Sequence, residues 1–252
     1  GQSLVMSSFI PNCRSYDPTF GYELAVIIQH GLKEMYGVGS DKQKSVYYYI
    51  TLMNENYLHP AVTMTDVLAE EIIKGMYLYK DVTTKAKLNV KLLSSGTILR
   101  EAEKAAEILE QEYNIGAKIY SVTSFTELAR DGMEIERLNR LNPELPDNLA
   151  YVTAKLSDDD SPIIAVTDYI RSYADQIRAY LPNHKYTVLG TDGFGRSDTR
   201  KQLRHFFEVD AANIVITSLK SLVDQGKLES KVVSAAMKKF DITADKTAPF
   251  KN

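Results

Sequence analysis

Thr191-Asp-Gly-Phe-Gly-Arg-Ser-Asp-Thr-Arg-Lys-Gln-Leu-Arg-His-Phe-Phe-Glu-Val-Asp210 is the stretch that decides the fold of this chain. The apolar run Tyr186 to Leu189 just before it reads as a buried strand, and the residues from Thr199 onward read as a helix. Between them Gly193 and Gly195 flank Phe194 in a loop, with Ser197 and Asp198 placed to cap that helix. The order Asp-Gly-Phe-Gly is not the Asp-Phe-Gly of protein kinases, and no other kinase motif accompanies it. A strand that turns through glycines into a capped helix is the recurring joint of an open α/β sheet.

Working outward, the same joint repeats. Strands are expected at Leu88 to Leu93, Lys118 to Val122, Tyr151 to Ala154 and Ile163 to Val166. Helices are expected at Thr97 to Tyr113, Ser124 to about Arg137 and Ile170 to Tyr180. Two further helices, Asp210 to Gln225 and Ser230 to Phe240, follow the decisive stretch with Gly226 between them. Such alternation calls for an open sheet with helices on both faces. Ahead of it, Thr65 and Asp66 are capping candidates for a helix to Lys74.

The first sixty residues read differently. Leu24, Ile27, Ile28, Leu32 and Met35 recur at three- and four-residue steps, so a helix from Phe20 to Tyr36 should pack one face; Gly37 ends it, near an exposed turn at Gly39 and Ser40. Val46 to Leu52 is too apolar and aromatic for an edge and reads as a central strand, with Tyr47 and Tyr49 on one side and Tyr48 on the other. One such unit needs more sheet than this segment supplies, so it reads as the tail of a larger α/β domain.

Composition narrows the function classes. Of 252 residues, 44% are hydrophobic and 25% charged, with a net charge of −3, which suits a globular chain and gives nucleic acid or an acidic membrane no electrostatic reward. No apolar run is long enough for a membrane span, and the single Cys13, which reads as a small buried thiol, fits a reducing compartment; the expected location is cytoplasmic.

Few residues carry chemistry on their own. Ser94-Ser95-Gly96-Thr97 follows a strand and opens a helix, where free backbone N–H groups can hold an anion or a hydroxyl can cap; it lacks the lysine of a nucleotide P-loop. Asn54, Glu55 and Asn56 follow the tyrosine strand at its carboxyl end, where open α/β sheets place ligands. Asp158, Asp159 and Asp160 lack the alternation and distal glutamate of a calcium loop and read as solvated turn residues. His30, His59, His184 and His205 have no second ligand at helical spacing, so no metal site and no catalytic triad are assigned.

The decisive stretch, with Tyr120-Ser-Val-Thr-Ser-Phe-Thr-Glu-Leu-Ala-Arg-Asp-Gly132 and Val46-Tyr-Tyr-Tyr-Ile-Thr-Leu-Met-Asn-Glu-Asn-Tyr57, resembles the C-terminal end of the homodimeric bacterial pyruvate dehydrogenase decarboxylating components. These are thiamine-diphosphate enzymes of the transketolase type, and the resemblance runs over nearly the whole chain. It implies a transketolase C-terminal-domain-like open mixed sheet at 61–252, preceded at 1–60 by the tail of a pyrimidine-binding-type α/β domain. It further implies decarboxylation of pyruvate on thiamine diphosphate with magnesium, acetyl transfer to lipoyl groups of a dihydrolipoyl acetyltransferase, and a homodimer. The cofactor ligands and proton-transfer groups of the family lie in motifs that this sequence does not contain, so no catalytic residue is carried over. In the family the strand end matching Asn54, Glu55 and Asn56 lines the substrate channel, and histidines are common where this chain has Gln2 and Leu4. Two other readings remain open: a stand-alone anion-binding or regulatory module built on Ser94 to Thr97, and a related enzyme for another 2-oxo acid.

Overall fold

The computed structural model describes residues 1–37, 42–82 and 87–251. Its main feature is a five-stranded sheet in the order β3-β5-β4-β6-β7, formed by Tyr77–Asp81 (β3), Leu88–Ser94 (β4), Ile115–Ser121 (β5), Ile163–Val166 (β6) and Tyr186–Leu189 (β7). Strands β4 to β7 pair in parallel, while β3 runs antiparallel along β5, which makes the sheet mixed. Every residue of β6 is buried, as are the last five of β4, because helices cover both faces.

One face carries Leu99–Tyr113 (α4) and Ala211–Asp224 (α9). Val90 and Leu92 of β4 meet Ala102, Ala105 and Ala106 of α4 there, and small side chains let that helix lie close to the sheet. On the opposite face Leu93 of β4 meets Phe125 and Leu128 of Phe125–Leu141 (α5) and Tyr173 of Arg171–Asp175 (α7). Local chemistry fixes the helix starts: the Ser124 and Asp210 side chains accept backbone N–H groups of Glu127 and Asn213.

A second, two-stranded parallel sheet joins Cys13–Tyr16 (β1) to Tyr47–Ile50 (β2). Ser3–Ser8 (α1) precedes it, Gly21–Tyr36 (α2) connects its strands, and Asp66–Lys74 (α3) leads out to β3. Glu23 shapes the start of α2: its wholly buried carboxylate accepts the Phe20 N–H at 2.9 Å, the Tyr77 hydroxyl at 2.7 Å and the Ser121 hydroxyl at 2.6 Å. One acidic side chain thereby ties the first sheet to the second.

Several elements depart from expectation. Tyr151–Leu156 is a helix (α6) and not a strand: Asp131 accepts the Tyr151 N–H at 2.6 Å, and Val152 and Leu156 reach the core together at four-residue spacing. The edge strand β3 lies outside every segment in which the sequence pattern predicts a strand. The helix expected over Ile170 to Tyr180 stops at Asp175, and a 3₁₀ turn follows at Arg178–Tyr180. Among the described residues β2 pairs only with β1, and Tyr47 is 43% exposed, so a second neighbour for β2 is not found among them. Tyr48 and Tyr49 do face opposite sides, Tyr48 stacking on Tyr16 and Tyr49 packing into the α5 and α7 layer. The inner face of α2 is Glu23, Ile27, Gly31 and Glu34, which leaves Ile28 and Leu32 nearly half exposed. The turn at Gly39 and Ser40 lies outside the described residues.

Candidate functional site

Parallel strands end where their following loops diverge, and a cavity of about 250 Å³ opens at that end of the molecule. Met53, Asn54 and Glu55 follow β2, Thr97 follows β4, Asp168 follows β6, and Thr191, Gly193 and Gly195 follow β7. The short helix Arg200–Phe206 (α8) closes the far wall with Arg200, Leu203 and Arg204.

The decisive stretch builds this wall through local bonds. Asp192 accepts the Arg171 N–H at 3.0 Å and pairs with its guanidinium, which pins the loop to α7. Gly193 sits at φ +98, and a Cβ there would stand 2.7 Å from the Pro249 carbonyl oxygen, so only glycine fits. Thr199, rather than Ser197 or Asp198, caps α8 by accepting the Gln202 N–H. Phe194 between the two glycines is 81% exposed.

Charge dominates the cavity. Arg204 donates to Glu55 at 2.5 Å with one nitrogen and reaches Glu101 at 3.3 Å with the other. Arg200 lies 3.8 Å from the same Glu55 oxygen and donates to the Asn54 side-chain oxygen at 2.8 Å. Glu101 is itself buried, and it also accepts the Ala211 N–H and pairs with Lys104. Arg196 lines the same cavity with its guanidinium 5.0 Å from the Phe206 ring centre, and it forms no ion pair among the described residues. Burial pushes the Asp168 carboxyl above the usual carboxylate range; Glu55 adds to this while Arg204 opposes it. A second cavity of about 570 Å³ lies beyond Glu55, Arg200 and Arg204, so these three side chains form the partition.

The structure thus brings together Asn54, Glu55 and Thr97 from the two candidate groups. Asn56 is exposed and lies outside the cavity lining. Ser94 and Ser95 are fully buried and neither caps by its side chain. Gly96 has φ +54, and its missing Cβ leaves room for Asp17, whose oxygens lie 3.0 to 3.1 Å from that point. Asp17 is wholly buried and accepts from Thr51 at 2.7 Å; burial pushes its carboxyl up to about 6, against the pull of the Ser95 and Thr51 hydroxyls. The Ser94 to Thr97 turn therefore packs against an acid. The positive charge comes instead from Arg196, Arg200 and Arg204, whose four-residue spacing in the decisive stretch is the sequence signal for this cluster.

Other singled-out residues lie elsewhere. Asp158 and Asp159 are not free turn residues: they pair with the fully buried Lys91 ammonium at 2.6 and 3.0 Å. His205 faces Asp210 at 3.0 Å, and Cys13 is buried in β1. Among the described residues no helix is long and apolar enough to cross a membrane.

Comparison with known proteins decides the family. The model of the transketolase-like TK C-terminal domain matches residues 75–210, more than half of the chain. The chain belongs to that family. The model of the pyruvate dehydrogenase E1 component middle domain matches residues 1–60. The relative named pyruvate dehydrogenase E1 component in Pseudomonas aeruginosa is 50% identical over 249 residues, 99% of this chain and 28% of the relative. Its namesake in Escherichia coli strain K12 is 49% identical, over 99% of this chain and 27% of its own length. The chain therefore spans little more than a quarter of these relatives, and the resemblance read from the sequence holds over nearly all of it. Among solved structures, transketolase of Pichia stipitis in complex with sedoheptulose-7-phosphate aligns with a TM-score of 0.58 at 17% identity, over 90% of this chain and 28% of that one. Transketolase of Leishmania mexicana aligns at 0.55, also at 17% identity, over 87% and 27%. At such identity these structures establish the fold, a transketolase C-terminal-like mixed sheet with helices.

Proposed function

We propose that this chain is the C-terminal portion of a pyruvate dehydrogenase E1 type enzyme, which decarboxylates pyruvate on thiamine diphosphate and passes the acetyl unit to lipoyl groups of a dihydrolipoyl acetyltransferase. The observation that carries the reading is identity at about half of all positions with relatives of that name, sustained over 99% of the chain. In this reading 1–60 completes a pyrimidine-binding-type domain, 61–252 forms the C-terminal domain, and the assembly is a cytoplasmic homodimer. The apolar residues exposed along the first segment, Met6, Phe9, Ile28, Leu32 and Leu58 among them, support a covered surface there.

The described residues do not suit the cofactor itself. They include no group of three metal-capable side chains, and the cavity's acids are engaged with arginine or buried. Magnesium and the diphosphate would thus be held by other parts of the longer protein, and this segment supplies support and one wall of the active-site mouth through Asn54 and Glu55. Chemistry on the cofactor is the cofactor's own; this chain's share is to position and to exclude water.

The test joins native mass with pyruvate decarboxylation under added thiamine diphosphate and magnesium. A mass several times this chain's 28.3 kDa, with activity, is expected. Activity with another 2-oxo acid and not with pyruvate would move the reading to a related enzyme. A native mass equal to the chain's own, without activity, would favour the stand-alone module, and activity from the short chain alone would overturn the division of labour.

A further inference from the structure

We infer that Arg196, Arg200 and Arg204 form a binding site for a small multivalent oxyanion of the phosphoryl class, and that Glu55 occupies it in the anion's absence. The inference stands on the cavity and does not depend on the reaction proposed above.

Three guanidinium groups line one cavity of about 250 Å³, smaller than the usual range for drug-sized ligands and suited to a small solute. Against them stand two carboxyls. Glu55 pairs with Arg204 and lies 3.8 Å from Arg200, whereas Asp168, whose carboxyl burial pushes upward, forms no ion pair with the three arginines among the described residues. Glu55 serves both Arg200 and Arg204, Arg204 has the buried Glu101 besides, and Arg196 has no acidic partner among the described residues. With Glu101 set against Arg204, two of the three positive charges are left to Glu55 alone, and a dianion in its place balances them better; the planar guanidinium fork matches phosphoryl oxygens as well as it matches carboxylate.

The site is held ready without Glu55. Arg204 is fixed from behind by the buried Glu101 at 3.3 Å and by the Thr97 hydroxyl at 3.3 Å, and Arg200 is fixed by Asn54. Glu55, by contrast, lies in an irregular loop after β2, where it can turn toward the second cavity that it also lines. Anion binding therefore exchanges one carboxylate for another group on the same donors and opens the partition between the two cavities. Occupancy is thereby linked to the seam between the first segment and the C-terminal sheet.

Inorganic phosphate, titrated calorimetrically into the whole protein at fixed ionic strength set with chloride, tests this. Glu55→Gln removes the competing charge and should tighten phosphate binding about tenfold, whereas Arg200→Gln should weaken it by about the same factor. Arg200 is chosen because its side chain is 54% exposed, so the variant keeps its fold; Arg204 also anchors Glu101 and would confuse loss of binding with loss of structure. Equal phosphate affinity in the wild type and Glu55→Gln, an unchanged affinity in Arg200→Gln, or no binding by any of the three at about 10 mM phosphate would each overturn the inference.

Discussion

Asp17 shows how far a single side chain can depart from what its type suggests. A carboxyl with an ordinary value of 3.8 is pushed up to about 6 by complete burial, so the folded state holds its proton more tightly than the unfolded chain does. Between those two values folding takes up a proton, and stability from this group falls as pH rises from about 3.8 to about 6, the cost being fully present above that. Asp17→Asn, which can still accept from Thr51, should therefore stabilise the protein at pH 8 by on the order of 2 kcal/mol and be nearly neutral at pH 4. Urea unfolding of both proteins at the two pH values checks this; an equal difference at both would reject it. Gly75 gives a backbone counterpart. It has φ +106, and an added Cβ would lie 2.5 Å from the Ser124 carbonyl oxygen, so Gly75→Ala should lower stability by about 1–3 kcal/mol in the same measurement. Neither the burial of Asp17 nor the contact at Gly75 is legible locally, because both partners come from distant parts of the chain.

At the scale of elements, periodicity located most strands and helices, and it failed where a neighbour overrode composition. Tyr151-Val-Thr-Ala154 is rich in β-branched and aromatic residues, yet Asp131 receives the Tyr151 N–H and the helix forms. Strand β3 escaped although Tyr77 and Tyr79 alternate inward, since its pairing with β5 carries an irregularity at Leu78 and Lys80 that breaks the simple pattern. The central strand β4 contains the least expected side chain, Lys91, buried between sheet and α6 and satisfied by Asp158, Asp159 and the Leu156 carbonyl. Removing one side of this arrangement should not equal removing the other. Asp158→Asn with Asp159→Asn strands a buried ammonium and should cost about 3–5 kcal/mol, whereas Lys91→Met leaves half-exposed aspartates that water can solvate and should cost about 1 kcal/mol. Denaturation midpoints of the two variants decide; a smaller loss in the double variant would contradict the account. Burial raises the Asp159 carboxyl, but the Ser161 N–H and Lys91 outweigh it and hold it at about 2, so its contribution is complete above 3.8 and lost as pH falls through about 2.

For the whole molecule, the exposed outer face of α2 is the feature with the plainest consequence. Ile28 and Leu32 are 46% and 47% exposed one helical turn apart, and Tyr36 continues the row at 70%. Replacing Ile28 and Leu32 together by lysine tests whether the proposed homodimer uses this face: the double variant should sediment as a smaller species than the wild type while changing stability by less than about 1 kcal/mol. Unchanged association would show that this face takes no part in it. The candidate site was legible in part: Asn54 and Glu55 were placed by the rule that ligands sit at the carboxyl ends of parallel strands, and Thr97 by its position after β4. Its arginines were in plain view as residues but silent as a group. The sequence by itself determined the family, through the stretches that resemble its members, and the alternating α/β plan, because hydrophobic periodicity, caps and turn glycines act over a few neighbouring residues. Only the tertiary structure decided that α8 turns Arg200 and Arg204 onto Glu55, that Asp17 lies under Gly96 and that Lys91 is enclosed, because these pairings join residues 65 or more positions apart and exist only once those distant parts of the chain have packed.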